Sequence, residues 1–286
     1  MQNIIYLRTT RFDDMETKVL DDKKIYEIAN LALDIGTFLL ASGAHCGRVY
    51  RNVSRITEAW GVRVNMHITF TGLLITAQCK KGEAQECGKA VTLFKKTKIY
   101  DINFNAINEI SQLSWLIAEE KISVSKARNL FKRICSGRKY STPTLLLGIG
   151  CACACLCIVA GGDWKDAIIG FIASIAGMVI RLEIIKRNYN MMFSFIAAAF
   201  FTTLITSLHL IGTFEPIWGL STAPDRALAT AVLYLVPGVP LTNSLIDLIE
   251  GYIPSAIARA SFSAFILLCI AIGMSISILL FGINQF

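Results

Sequence analysis

The residues from Pro237 to Gly251, PGVPLTNSLIDLIEG, place side chains that can do chemistry inside sequence that should cross a membrane. Thr242, Asn243, Ser244, Asp247 and Glu250 interrupt an otherwise apolar stretch. A carboxylate at bilayer depth is expensive and usually marks a path for a substrate or an ion. Pro237 and Pro240 each remove a backbone donor, with Gly238 beside them, so a helix should not run smoothly through Val239. Backbone left unpaired at that depth is tolerated only when buried in protein or lining a wet cavity. Asn243, Asp247 and Glu250 share one helix face at i, i+4 and i+7, and Arg259 follows just beyond Pro254. A buried Asp247–Arg259 pair would relieve both charges. Two roles stay open: a staple between two helices, or a substrate or proton path of Asp247, Asn243, Thr242, Arg259 and Glu250. The coincidence of a helix break with a polar face favours the path, and therefore transport.

The composition says where these residues must sit. The 286 residues are 54% hydrophobic with a mean hydropathy of +0.54, too apolar for an ordinary soluble domain. The apolarity is uneven. Of 28 Lys and Arg, only Lys165, Arg181, Lys186, Arg187, Arg226 and Arg259 lie beyond Pro143. A basic half followed by a nearly charge-free half predicts a domain at the anionic cytoplasmic leaflet, joined to a membrane domain. The boundaries expected are a flexible lead-in at 1–22, an α+β domain at 23–140 and a membrane domain at 141–286. The lead-in lacks the long apolar core and cleavage site of a signal peptide. No helix-turn-helix, zinc-finger or RNP signature accompanies the basic charge, so no nucleic-acid partner is expected.

In the first half, Ile25, Ile28, Ala32, Ile35 and Leu39 recur at helical spacing, and Gly43 supplies a stop. Val49, Val53, Ile56 and Trp60 line a second helix ending at Gly61. Its Arg48, Arg51 and Arg55 form a stripe that is either an anion site or, more often, a solvated or salt-bridged face. Adjacent His45 and Cys46 raise the thought of a nucleophile pair, but such sites are defined by geometry, not adjacency. Val62–Thr69 and Leu73–Cys79 read as strands around a Thr71-Gly72 turn, and residues 90–100 as a third strand. His67 falls on the polar face. Ile107, Ile110, Ser114 and Ile117 line a helix, and Ser123 caps another.

Five spans are expected in the second half: Thr144 to Gly161, opened by Thr142-Pro143; Ala167 to Ile180; Met191 to Gly212; Leu228 to Ile249, containing the break; and Ala256 to Ile283. The basic first half and Arg181, Lys186 and Arg187 assign the N-terminus to the cytoplasm and the C-terminus to the outside. The loop bearing Pro216, Trp218 and Pro224 reads as an interfacial cap. Cys151, Cys153, Cys155 and Cys157 alternate around a helix axis, and no CxxC occurs among the nine cysteines, so packing is expected and no metal site. No Walker A pattern is present, so ATP drive is not expected.

LLASGAHCGRVYRNVSRITEAWG, ITFTGLLIT, INEISQLSWLIAEEKISVSKARNLF and LVPGVPLTNSLIDLIEGYIPSAIARA together resemble the threonine/serine exporter family over roughly residues 25–283. The resemblance implies a cytoplasmic domain joined to five spans, and export of small hydrophilic metabolites across the inner membrane. Single-chain members carry two five-span units; others are split, and a split pair similar to this chain exports dicarboxylates such as succinate. One unit alone implies the large subunit of a two-component exporter, with a smaller membrane subunit of the same family, or a second copy, as partner. The motif residues carried over are Gly43, Arg48, Gly72, Pro237, Gly238, Pro240, Asp247, Gly251 and Arg259. The family's N-terminal domain has been likened to hydrolases, but no GxSxG and no metal-ligand cluster is seen here.

The expected function is therefore a secondary exporter subunit, coupled to protons through Asp247, with no cofactor and no catalytic residues. The alternative is a membrane-anchored enzyme or sensor with a hydrolase-like cytoplasmic domain. An anchor has no use for the break in the fourth span.

Overall fold

The computed structural model describes residues 22–79, 90–97, 101–137, 140–207 and 224–281. The lead-in, the turn expected near Lys81 and the loop around Pro216 and Trp218 lie outside the described residues. By its contacts the chain divides into two compact units, Met1–Arg138 with Val239–Ala260, and Lys139–Gly238 with Ser261–Phe286.

The first unit begins with α1 (Asp22–Ala41) and α2 (Cys46–Ala59). The apolar stripe of α1 is fully used, with Ile25, Ile28, Ala32, Ile35 and Leu39 all buried. Each buried Ile or Leu is worth about 1.5–3 kcal/mol relative to exposure. Gly43, at φ 94°, ends α1: its N–H reaches Leu40 O and the next amide, of Ala44, reaches back to Leu39 O. That double closure is a Schellman motif, which selects glycine because the left-handed region penalises a Cβ. It leaves Gly43 O and Ala44 O facing away from α1.

Three antiparallel strands follow, β1 (Val62–Thr69), β2 (Gly72–Cys79) and β3 (Val91–Lys96), paired in that order. Val62, Val64 and Ile68 point into the core and Arg63, Asn65 and His67 point out, as the alternation requires. The hairpin turn is Phe70-Thr71, with Thr69 opposite Gly72. The expected Thr71-Gly72 turn is thus displaced by one residue, and Gly72 opens β2. β3 is shorter than expected, and residues 98–100 lie outside the described residues. Helices α3 (Phe104–Glu120) and α4 (Val124–Cys135) complete this part, capped by Asn103 and Ser123. Ile107, Ile110, Ser114 and Ile117 are buried, as their periodicity predicts, and Ala127 and Phe131 of α4 are buried with Leu130 and Ile134 half-buried beside them.

The remaining helices are α5 (Thr142–Val159), α6 (Trp164–Lys186), α7 (Met191–Ser207), α8 (Pro224–Ala231), a 3-10 turn (Leu233–Leu235), α9 (Gly238–Ile249) and α10 (Ile253–Phe281). Among the described residues, three helices are long and apolar enough to cross a membrane: α5, α6 and α10. A fourth span results if the broken pair Arg226–Leu235 and Gly238–Ile249 counts as one. α7 is apolar but has 17 described residues.

Several boundaries differ from expectation. The cap of α5 is Ser141, whose hydroxyl accepts from Thr144 N, rather than Thr142. The second span does not stop at Ile180 but runs to Lys186. Its start is fixed by a capping box in which Asp166 accepts from Asp163 N at 3.0 Å. In the fourth segment the break lies at Val236-Pro237, where Val236 is extended. Pro240 is no part of it. It sits buried in the first turn of α9, where a missing N–H costs no intrahelical bond. The segment between the fourth and fifth expected spans is only a turn around Gly251, and α10 begins at Ile253, three residues before the expected Ala256, with Arg259 inside it.

Candidate functional site

The turn between α1 and α2 presents two carbonyls and one helix N-terminus within the first unit. Residues 239–260 of the same unit supply what satisfies them. Asn243 Nδ2 donates to Gly43 O at 2.7 Å, and Arg259 Nη2 donates to Ala44 O at 2.9 Å. Cys46 N, the first amide of α2, donates to Asp247 Oδ1 at 2.7 Å. Helix α2 has no acidic residue in its own first turn. Asp247 brings the negative charge that the positive end of a helix attracts.

The centre is an ion pair. Arg259 Nε lies 2.9 Å from Asp247 Oδ2, and both side chains are 0% exposed. Ser255 Oγ donates to the same oxygen at 3.2 Å. Two i,i+4 pairs, Asn243–Asp247 on α9 and Ser255–Arg259 on α10, thus meet one turn of backbone. Arg259 also lies over the Phe70 ring at 5.3 Å. A turn with Gly251 at φ 85°, closed by Tyr252 N to Asp247 O at 2.7 Å, reverses the chain between α9 and α10.

Cys46 Sγ lies 3.0 Å from Ser255 Oγ and 3.3 Å from Asp247 Oδ2. Burial pushes its thiol up to about 12; the Ser255 hydrogen bond works the other way, and the Asp247 charge adds to the rise. His45 turns its ring to Glu250 and to Arg48 N. The pair therefore holds a buried neutral thiol and not the thiolate that a nucleophile needs. The raised value also has a sign. The unfolded thiol ionises above its usual value near 9 while the folded one does not. The contribution is complete below pH 9 and is lost as pH rises from there through about 12. In the native protein a thiol-alkylating reagent is expected to modify exposed Cys135 and to spare buried Cys46, with Cys46 labelled only after denaturation. Mass spectrometry of alkylated peptides checks this.

At the edge of the cluster, Glu250 accepts from Arg51 Nη1 at 3.1 Å and lies 3.2 Å from His45 Nδ1. Partial burial pushes its carboxyl up, but the Arg51 hydrogen bond and His45 outweigh burial and hold it below the ordinary value. His45 Nδ1 also lies 3.3 Å from Arg48 N. One nitrogen cannot accept from that amide and donate to the carboxylate at once, so the tautomer selects between cap and Glu250. Ligand atoms of His45, Asp247 and Glu250 fall within 4.8 Å of one another. The set suits a cation poorly, because both Asp247 oxygens are already engaged, one by a guanidinium. The arginine stripe is a paired face in part: Arg51 holds Glu250, and Arg55 bonds Ser114 and covers Trp115.

Asp247, Asn243, Arg259 and Gly43 are therefore brought together, with Glu250 beside them. Arg48 contributes backbone only, its carbonyl accepting from Asn52 Nδ2. Thr242 is exposed, and Gly72 packs in the hairpin against Phe94. Pro237 and Gly238 stand at the break. Sequence reasoning missed Ala44, Cys46 and Ser255 as members. The i,i+4 spacing of Ser255 to Arg259 was the available signal; carbonyls in a turn leave none.

The ThrE threonine/serine exporter family model matches residues 30–281. "Probable succinate transporter subunit YjjP" of Escherichia coli (strain K12) is 28% identical over 90% of this chain and 96% of its own length. "Threonine/serine exporter" of Corynebacterium glutamicum is 25% identical over 84% of this chain and 48% of its own length. "Probable threonine/serine exporter" of Mycobacterium tuberculosis is 22% identical over 91% of this chain and 47% of its own length. No solved structure matches. With a family match across most of its length and helices apolar enough to span a bilayer, the chain belongs to the threonine/serine exporter family.

Proposed function

We propose that this chain is the large subunit of a two-component inner-membrane exporter. Its cargo is a small hydrophilic metabolite, threonine and serine or a dicarboxylate such as succinate. Family membership carries the reading. Length supports the split: the chain matches nearly all of a relative named a subunit, but under half of the two relatives named as exporters. A smaller membrane subunit of the same family supplies the missing half, with a second copy of this chain as the fallback.

In this reading residues 23–140 form a cytoplasmic domain after a lead-in at 1–22, and residues 141–286 make five spans. α7 counts as the third span and the broken pair as the fourth. Asp247 exchanges the coupling proton, Arg259 and Ser255 hold its carboxylate, Asn243 ties the same helix to the α1–α2 turn, and Glu250 and Thr242 mark the exposed end of the path. The chemistry is simple. A proton on Asp247 removes the charge that Arg259 pairs with, so protonation would loosen the joint between the α1–α2 turn and α9–α10.

A reporter active only in the cytoplasm is expected to work at the N-terminus and to fail after Phe286. Cells holding both subunits are expected to release succinate, threonine or serine faster than cells holding neither. Cytoplasmic activity of the C-terminal reporter would contradict the topology, and unchanged release of all three would contradict the export reading.

A further inference from the structure

Arg181 is a half-buried cation inside the second unit. α6 continues five residues beyond it, about 7.5 Å at the rise of an α-helix, so it lies within the helix and not in a loop. Among the described residues no carboxylate lies within ion-pair distance of it. Its Nε has no hydrogen-bond partner, and Nη1 finds only Met178 Sδ at 4.0 Å. Its Nε is buried, while the side chain as a whole is half-buried. Its Cζ lies 4.3 Å from the ring of Phe195, which is 4% exposed in the core of this unit.

Hydroxyls gather on the same helix face. One turn before Arg181, Gly177 leaves the space that Thr202 Oγ1 and Tyr234 OH occupy; a methyl there would collide with both. Thr202 and Tyr234 hydrogen-bond each other at 3.1 Å. A buried arginine is normally held by a carboxylate, because an unpaired charge in a low-dielectric site is costly. Here the fork and two hydroxyl groups stand together without one. The side chain keeps partial exposure, so an anion can reach it.

We propose that Arg181 is the substrate-carboxylate site of this exporter. The guanidinium binds a carboxylate of the exported metabolite on its open edge, while Phe195 covers one face and Tyr234 and Thr202 donate beside it. A planar fork suits a carboxylate bidentately in a way that lysine does not. The proposal rests on the export reading above, and gives it a recognition element distinct from the Asp247–Arg259 pair.

The test uses the full chain with its membrane partner, purified and reconstituted in vesicles. Succinate and threonine are the probes, and succinamide is the neutral control. In thermal unfolding the wild type is expected to shift upward with succinate or threonine and not with succinamide. Arg181→Gln is expected to lose that shift, while unfolding without ligand no earlier than the wild type, since it removes a half-buried charge that no carboxylate among the described residues pairs. Arg181→Lys keeps the charge and loses the fork. Its KM is expected to rise on the order of 100-fold, with kcat little changed. Arg181→Gln with a wild-type ligand shift and KM would overturn the site while leaving export standing. Arg181→Gln unfolding earlier without ligand would also overturn it, marking Arg181 as half of an ion pair with the partner subunit. Carboxylate shifts that depend on Arg181, with no flux in any preparation, would uphold the site and sink the export reading.

Discussion

Asp247→Asn is expected to abolish efflux and to lower the stability of the chain by about 3–5 kcal/mol. The carboxylate is the anion that faces the buried Arg259 guanidinium at 2.9 Å. It also accepts from the first amide of α2 and from Ser255. The amide side chain keeps the shape and removes the charge, so Arg259 stays buried without compensation. Total stabilities of about 5–15 kcal/mol make that loss large. Stability and transport can be separated. Breaking a buried pair is costly, but replacing both members with apolar residues of similar volume is often neutral. Asp247→Leu with Arg259→Met should therefore regain much of the lost stability. If Asp247 carries the coupling proton, transport stays absent in the double variant. Urea unfolding and efflux measured on the same preparations check both halves. Normal transport by Asp247→Asn at every pH would remove Asp247 from the proton path.

Loss of the second membrane subunit is the other large expected effect, with efflux falling to the level of cells lacking both chains. Transporters commonly build a central path from paired repeats, and in the reading proposed above this chain supplies one of them. The break at Val236-Pro237 leaves backbone groups that must be shielded from lipid. α10 keeps Ile257, Phe265 and Leu268 exposed, an apolar surface that a partner helix or lipid would cover.

Much of the first unit was legible because it obeys two periods. Ile25 to Leu39 recur at helical spacing and Val62 to Ile68 alternate, and both sets are buried where expected. Asp247 and Arg259 could be named as a pair from charge economy alone. What they close on could not. The acceptors are the carbonyls of Gly43 and Ala44 and the donor is the amide of Cys46; every residue has such groups, and only a turn aims them. That residues 239–260 pack against the α1–α2 turn rests on contacts some 200 positions apart in sequence, which no local pattern reports. Pro240 misled because its effect depends on position: within a helix it breaks, in a first turn it fits. Arg181 was read as a charge of the loop after the second span because apolar runs were ended at charges, whereas α6 passes through it.

Efflux from intact cells tests the central claim most directly. Intracellular and external succinate, threonine and serine are followed in cells expressing this chain alone, the smaller subunit alone, both, or neither. The account predicts accelerated release of at least one of the three only when both are present, and none with this chain alone. Full release by this chain as an active monomer, unaffected by loss of any partner, would contradict it.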